Sequence, residues 1–191
     1  MLSKELLVDF ETCLEEKAPH ILSYYNKALS LNEIDSYMNQ MAISIPEYKF
    51  LYKWKNGVSI EVQDYSTDIR IDFTGNFLAM KDALQLYKQN QEENYWNITF
   101  VPILATHQGE TLLIEANENS KNYKQLFFYA PFTSDLEPIG YFDDIESMLK
   151  SIISLFNKGA QRYDNNVMEI DFELRTKVCK DLNPKSEYWF E

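Results

Sequence analysis

From Ser3 to Lys17 the apolar residues Leu6, Leu7, Phe10, Cys13 and Leu14 recur at helical spacing and predict a first helix. Pro19 is expected to end it, with a second helix over Ile21–Leu29. Asn32 can cap a third, in which Ile34, Tyr37, Met38, Met41 and Ala42 form one stripe. The stretch Ser44–Gly57 (S-I-P-E-Y-K-F-L-Y-K-W-K-N-G) reads as a helix start, a short amphipathic helix and a helix stop. Ser44 and Pro46 fit a capped first turn, because proline lacks only an N–H that has no partner there. Tyr48, Leu51 and Tyr52 mark the buried face, and Asn56-Gly57 tolerates the positive φ that turns the chain into a strand.

After Gly57 the period switches to two. Val58, Ile60 and Val62 alternate with polar residues, as do Ile69, Ile71 and Phe73, and Tyr65-Ser66-Thr67 between them reads as a hairpin turn. Met80, Ala83, Leu84 and Tyr87 predict a short helix, followed by a polar loop over 90–97 that carries Tyr95 and Trp96. Strands are expected at Thr99–Leu104, Thr111–Ala116, Leu126–Tyr129 and Ile139–Phe142. Pro102 has no donor, so its strand should be an edge or carry a bulge. Asp143 with Glu146 resembles a capping box for a helix through Phe156, which Gly159 ends. A short strand at Val167–Ile170 and a helix from Asp171 to Leu182 complete the pattern. Helices first, a meander next and helices last predict one α+β domain. Its mostly antiparallel sheet has about five or six strands, with helices packed on one face.

Composition narrows the function. The 191 residues suffice for one domain with a core, and 45% apolar content excludes a disordered chain. The formal charge of −12 argues against direct nucleic-acid binding and against an anionic membrane surface. It would steer a basic protein partner, although solubility alone also accounts for it. Cys13 and Cys179 read as buried thiols rather than a disulfide. The N-terminus lacks a basic and an apolar region of the signal-peptide kind, and no apolar run reaches spanning length, so the expectation is a cytoplasmic protein.

Candidate chemistry is sparse. His20 and His107 stand at turns with no ligand at metal spacing, and the hydrolase, Walker and dinucleotide motifs are missing. Cys13 lies among Glu11, Glu15 and Glu16, the opposite of a thiolate-stabilising setting. Asp68 with Asp72, or Asp143 with Asp144, could in principle pair as acid and base, but their spacing shows no cleft. Asn117-x-Asn119 starts like a calcium loop and fails at Lys121. The expectation is no catalytic residue, no metal and no cofactor. Trp54, Tyr95, Trp96, Tyr188 and Trp189 are residue types that anchor interfaces and also fill cores.

The succession of an apolar helix, Ile45-Pro46, Tyr48, Phe50-Leu51 and Asn56-Gly57 resembles the Smi1/Knr4 family of the SUKH superfamily, bacterial immunity proteins and fungal cell-wall regulators. The likeness continues through 103–142, the 143–156 helix and the tail Asn183-Pro184-Lys185-Ser186-Glu187-Tyr188-Trp189. It implies a single domain over 1–191, with a helical extension 1–31 and a C-terminal extension 160–191. It also implies an immunity protein that binds and neutralises a cognate toxin, commonly nuclease-type. The alternative it implies is a regulatory or scaffold module. Joined to the negative charge, this suggests an acidic face with aromatic anchors. The candidate residues are Asp64, Asp68 and Asp72 of the first hairpin, Glu115 and Glu118 near the 117–122 loop, and Trp96. The partner would be a basic toxin, with no nucleic acid and no membrane; a weak homodimer is allowed.

Overall fold

The computed structural model describes residues 2–59, 67–132 and 137–190. Four helices open the chain: α1 (Lys4–Lys17), α2 (Pro19–Tyr24), α3 (Leu31–Gln40) and α4 (Pro46–Trp54). Ser3 caps α1, its hydroxyl accepting from the Leu6 N–H at 3.1 Å. Pro19 begins α2 rather than merely ending α1, because a first-turn proline loses no hydrogen bond. Ser30, not Asn32, caps α3 through a reciprocal box with Glu33. In α4, Tyr48, Leu51 and Tyr52 are buried as their spacing predicts, while Ser44 takes no part in the cap.

Five strands form one antiparallel sheet in the order β1 (Asn76–Phe77), β2 (Phe100–Ala105), β3 (Thr111–Glu115), β4 (Leu126–Tyr129), β5 (Ile139–Phe142). Pro102 therefore sits inside the sheet, at a bulge between Pro102 and Leu104. The buried Tyr48 hydroxyl donates to the Pro102 carbonyl at 3.1 Å. Helix α5 (Met80–Glu93) precedes β2, and α6 (Ile145–Asn157) follows β5 with Asp144 as its cap, where Asp143 was expected. A separate hairpin, β6 (Gln161–Asp164) with β7 (Val167–Ile170), leads into α7 (Phe172–Leu182), capped by Asp171, and a final 3-10 turn at Glu187–Phe190. The fold is α+β, as the pattern predicts.

The first hairpin is the main departure. Residues 60–66, which include Asp64, lie outside the described residues. Val58 makes a single parallel bridge to Leu78, and 67–73 belong to no named strand. Side chains replace a ladder there: Gln161 donates to the Ile71 carbonyl at 2.9 Å, and the Tyr163 hydroxyl donates to the Arg70 carbonyl.

The main core lies between the helices and one face of the sheet, where Val101, Ile103, Leu112, Ile114, Leu126 and Phe128 meet residues of α1 and α3–α6. The other face carries its own small cluster of Leu113, Phe127, Tyr129 and Trp96, with Phe100 against it. Strands apolar on both faces need cover on both. Here the second face receives a loop instead of a helix layer.

Candidate functional site

The cover begins with Asn90, a polar residue buried in the last turn of α5. Its amide closes the following loop on itself. The side-chain oxygen accepts from the Trp96 N–H at 2.8 Å, and its nitrogen donates to the Trp96 carbonyl at 3.0 Å. Asn94 ends the helix in the left-handed region, a conformation asparagine tolerates, and the chain turns back over the sheet. Trp96 is thereby set edge-on against Tyr129, 5.2 Å between ring centroids. Burial, then nearness to Tyr95, pushes the Tyr129 phenol above its ordinary range, so it stays neutral. Asn90→Ala would leave two buried backbone groups of Trp96 without partners. It is expected to cost about 1–3 kcal/mol in a urea melt and to speed exchange of the Trp96 amide.

Between this loop, α5, the 106–109 turn and the end of β4 runs an open groove of about 570 Å³. Its rim is aromatic: Tyr95 is 44% exposed and Phe132 is 83% exposed. Gln89 and Gln108 supply amides and His107 an imidazole, and no Lys, Arg, Asp or Glu lines it among the described residues. The Trp96 indole N–H, which lies in this lining residue, is closed off from water and has no hydrogen-bond acceptor among the described residues.

The six residues singled out by sequence do not converge on one acidic face. Asp72 is a correction: it is 0% exposed and ion-paired with Arg175 at 2.7 Å, so it is no part of a surface. Asp68 accepts from the Arg70 backbone and side chain and from the Met168 N–H, which fastens the β6–β7 hairpin to the 67–71 segment. Glu115 is buried and accepts from the Asn117 N–H at 2.8 Å, fixing the start of the 117–122 loop. Glu118 is exposed on that loop. Trp96 lines the groove, only 9% exposed. Its groove neighbours Tyr129 and Phe132 were not anticipated. The doubly apolar pattern of β4, L-F-F-Y, was the available signal.

Burial works against the Asp68 charge, but the hydrogen bonds and charge of Arg70 outweigh it and hold the carboxyl below its usual range. A carboxyl depressed in the folded state contributes stability above its unfolded value, about 3.9, and loses it as pH falls through the folded value. The destabilisation caused by Asp68→Asn is therefore expected to be full at pH 7 and to shrink steadily below about pH 4, read as the difference in urea midpoints.

The other polar cluster is internal. Arg175, 2% exposed, donates to Asp72, to the Tyr141 hydroxyl at 3.0 Å and to Gln161 at 3.3 Å, and lies over the ring of Trp189. Burial disfavours its charge, yet Asp72 more than compensates and keeps it protonated. Cys13 and Cys179 are buried free thiols; burial pushes Cys179 up to about 12, which leaves it an inert thiol at neutral pH. Among the described residues no group of three or more His, Cys, Asp or Glu could hold a metal ion. No described helix is long and apolar enough to cross a membrane. Set against protein-family models and curated proteins, the sequence matches none.

Proposed function

We propose that this chain is a non-catalytic protein-binding domain of the immunity type, which neutralises a cognate bacterial toxin by covering its surface. The observation that carries the reading is the aromatic groove on the sheet face that no helix layer covers among the described residues. Exposed Tyr95 and Phe132 beside a largely buried Trp96 have the composition of an interface centre: large rings at low entropic cost, with water excluded beneath them. The charge of −12 supports a basic partner, since it raises the encounter rate and disfavours like-charged competitors. The Ile45-Pro46 to Asn56-Gly57 likeness to the Smi1/Knr4 family supports the immunity role. Steering comes from the net charge of the chain; Asp72 and Glu115 are buried and Asp68 is paired with Arg70, so these acids are not the centre of the contact.

The test uses the purified protein as bait against toxin domains encoded beside its gene. The expected result is a one-to-one complex that weakens with salt and abolishes the toxin's activity. Capture of a cell-envelope or signalling protein alone would replace this reading with the scaffold one, and no complex with any such toxin would overturn it.

A further inference from the structure

The groove also carries information about what fills it. Two features of its chemistry are unequal to the rest of the surface. One is the Trp96 indole N–H, which has no acceptor among the described residues, unlike the other two indoles. Trp54 donates to Glu11 at 2.9 Å and Trp189 to the Tyr141 carbonyl. A buried donor left unpaired carries an unrecovered desolvation cost, which an incoming acceptor offsets.

The other feature is charge. The groove lining holds no fixed charge, but the segments that build it place Glu92 and Glu93 on the exposed end of α5 and Glu110 between two lining residues. Two cations of the surrounding segments already have partners among the described residues. Lys88 donates to Gln40 on α3, and Arg70, whose charge feels Glu110, is bound to Asp68. An apolar slot with an acidic border fits a cationic polypeptide. A second copy of this chain would bring another −12 to the contact.

We infer that the groove takes a cationic segment of the partner protein, with an apolar side chain between Tyr95, Trp96 and Phe132. A backbone carbonyl of that segment accepts from the Trp96 indole, and its Lys or Arg side chains meet Glu92, Glu93 and Glu110. Because the indole N–H is closed off from water in the free chain, this contact requires the side chains around it to move. This rests on the binding role proposed above and adds the chemistry of the occupant.

The test is a ¹H–¹⁵N spectrum of the intact protein, in which the three indole signals are separate and Trp96→Phe assigns one of them. The probes are a short capped Lys-Phe-Leu-Lys peptide, its Glu-Phe-Leu-Glu counterpart and cellohexaose. The cationic peptide should move the Trp96 indole signal downfield and saturably, leave the other two in place, and bind about tenfold or more tighter than the acidic one. Equal response to the acidic peptide, response to the oligosaccharide alone, movement with protein concentration alone, or no movement at all would each overturn the inference. The complex with the toxin separates the two levels. If it forms and inhibits but leaves the Trp96 signal in place, this inference fails and the immunity reading stands; if it does not form, the immunity reading fails.

Discussion

Arg175→Met lowers the stability of the fold by about 3–5 kcal/mol, because it leaves the Asp72 carboxylate buried without its cation. For a chain of this size that is a fall of about 6–20 °C in Tm. The Asp72 carboxylate keeps the Thr74 N–H and hydroxyl, both at 3.0 Å, but loses the only cation with which it forms a salt bridge among the described residues. The network also joins distant parts: α7 through Arg175, β5 through Tyr141, β6 through Gln161 and the final turn through Trp189. Removing both charges, as Arg175→Met with Asp72→Leu, should recover part of the loss, and the double-mutant cycle gives the coupling. Tyr141→Phe removes one hydrogen bond and is expected to cost about 1 kcal/mol. Equal losses for the single and double charge variants would show that the pair does not act as a unit.

Gly57→Ala is the second large effect. The residue has φ +55°, and an added Cβ would lie 2.3 Å from the Leu78 carbonyl oxygen and 2.5 Å from that of Phe77. Both are backbone atoms held by bonds of their own: the Phe77 carbonyl accepts from the Val58 N–H at 2.7 Å and the Leu78 carbonyl from the Tyr52 hydroxyl at 3.1 Å. No side chain can move to make room. The neighbouring Asn56 also accepts from the Met80 N–H at 2.9 Å, and the Gly57 carbonyl accepts from the Asn26 backbone, so this turn joins the N-terminal helices, β1 and α5. The cost is about 2–5 kcal/mol, the sum of a left-handed alanine and an overpacked contact. Gly159→Ala is the control: its φ is +73° but nothing lies within 4 Å of the added carbon, so only the conformational part, about 1–2 kcal/mol, remains.

What could be read from the sequence follows from where the partners lie along the chain. Local signals worked: β4, β5 and β7 fall at the residues their apolar patterns mark, and α4 buries the three residues its spacing selects. Caps were less legible, because several Ser, Asp and Asn compete at each helix start and the choice among Ser30 and Asn32, or Asp143 and Asp144, depends on the entering backbone. Asp143 instead accepts from the Lys185 N–H and holds the C-terminal segment. β6 has the sequence Q-R-Y-D, without an apolar alternation, since its inward residues Gln161 and Tyr163 serve as hydrogen-bond donors to the 70–71 segment. Asp72 looked solvent-facing because its cation is 103 residues away. The groove was half visible. Trp96 stood out in a polar loop, but the rings that meet it come from β4 and the segment after it, and only the register of the sheet brings them together.

The most direct measurement is the dissociation constant for the proposed toxin partner, compared between the native chain, the groove variant Tyr95→Ala with Phe132→Ser, and Glu118→Lys on the 117–122 loop. The rim substitutions are on exposed side chains, so the fold is retained. The account predicts a Kd about thirtyfold or more higher for the groove variant, the scale of about 2 kcal/mol for an interface anchor, with little change for Glu118→Lys. A groove variant that binds as tightly as the native chain, while Glu118→Lys binds poorly, would contradict it and place the contact on the acidic loop.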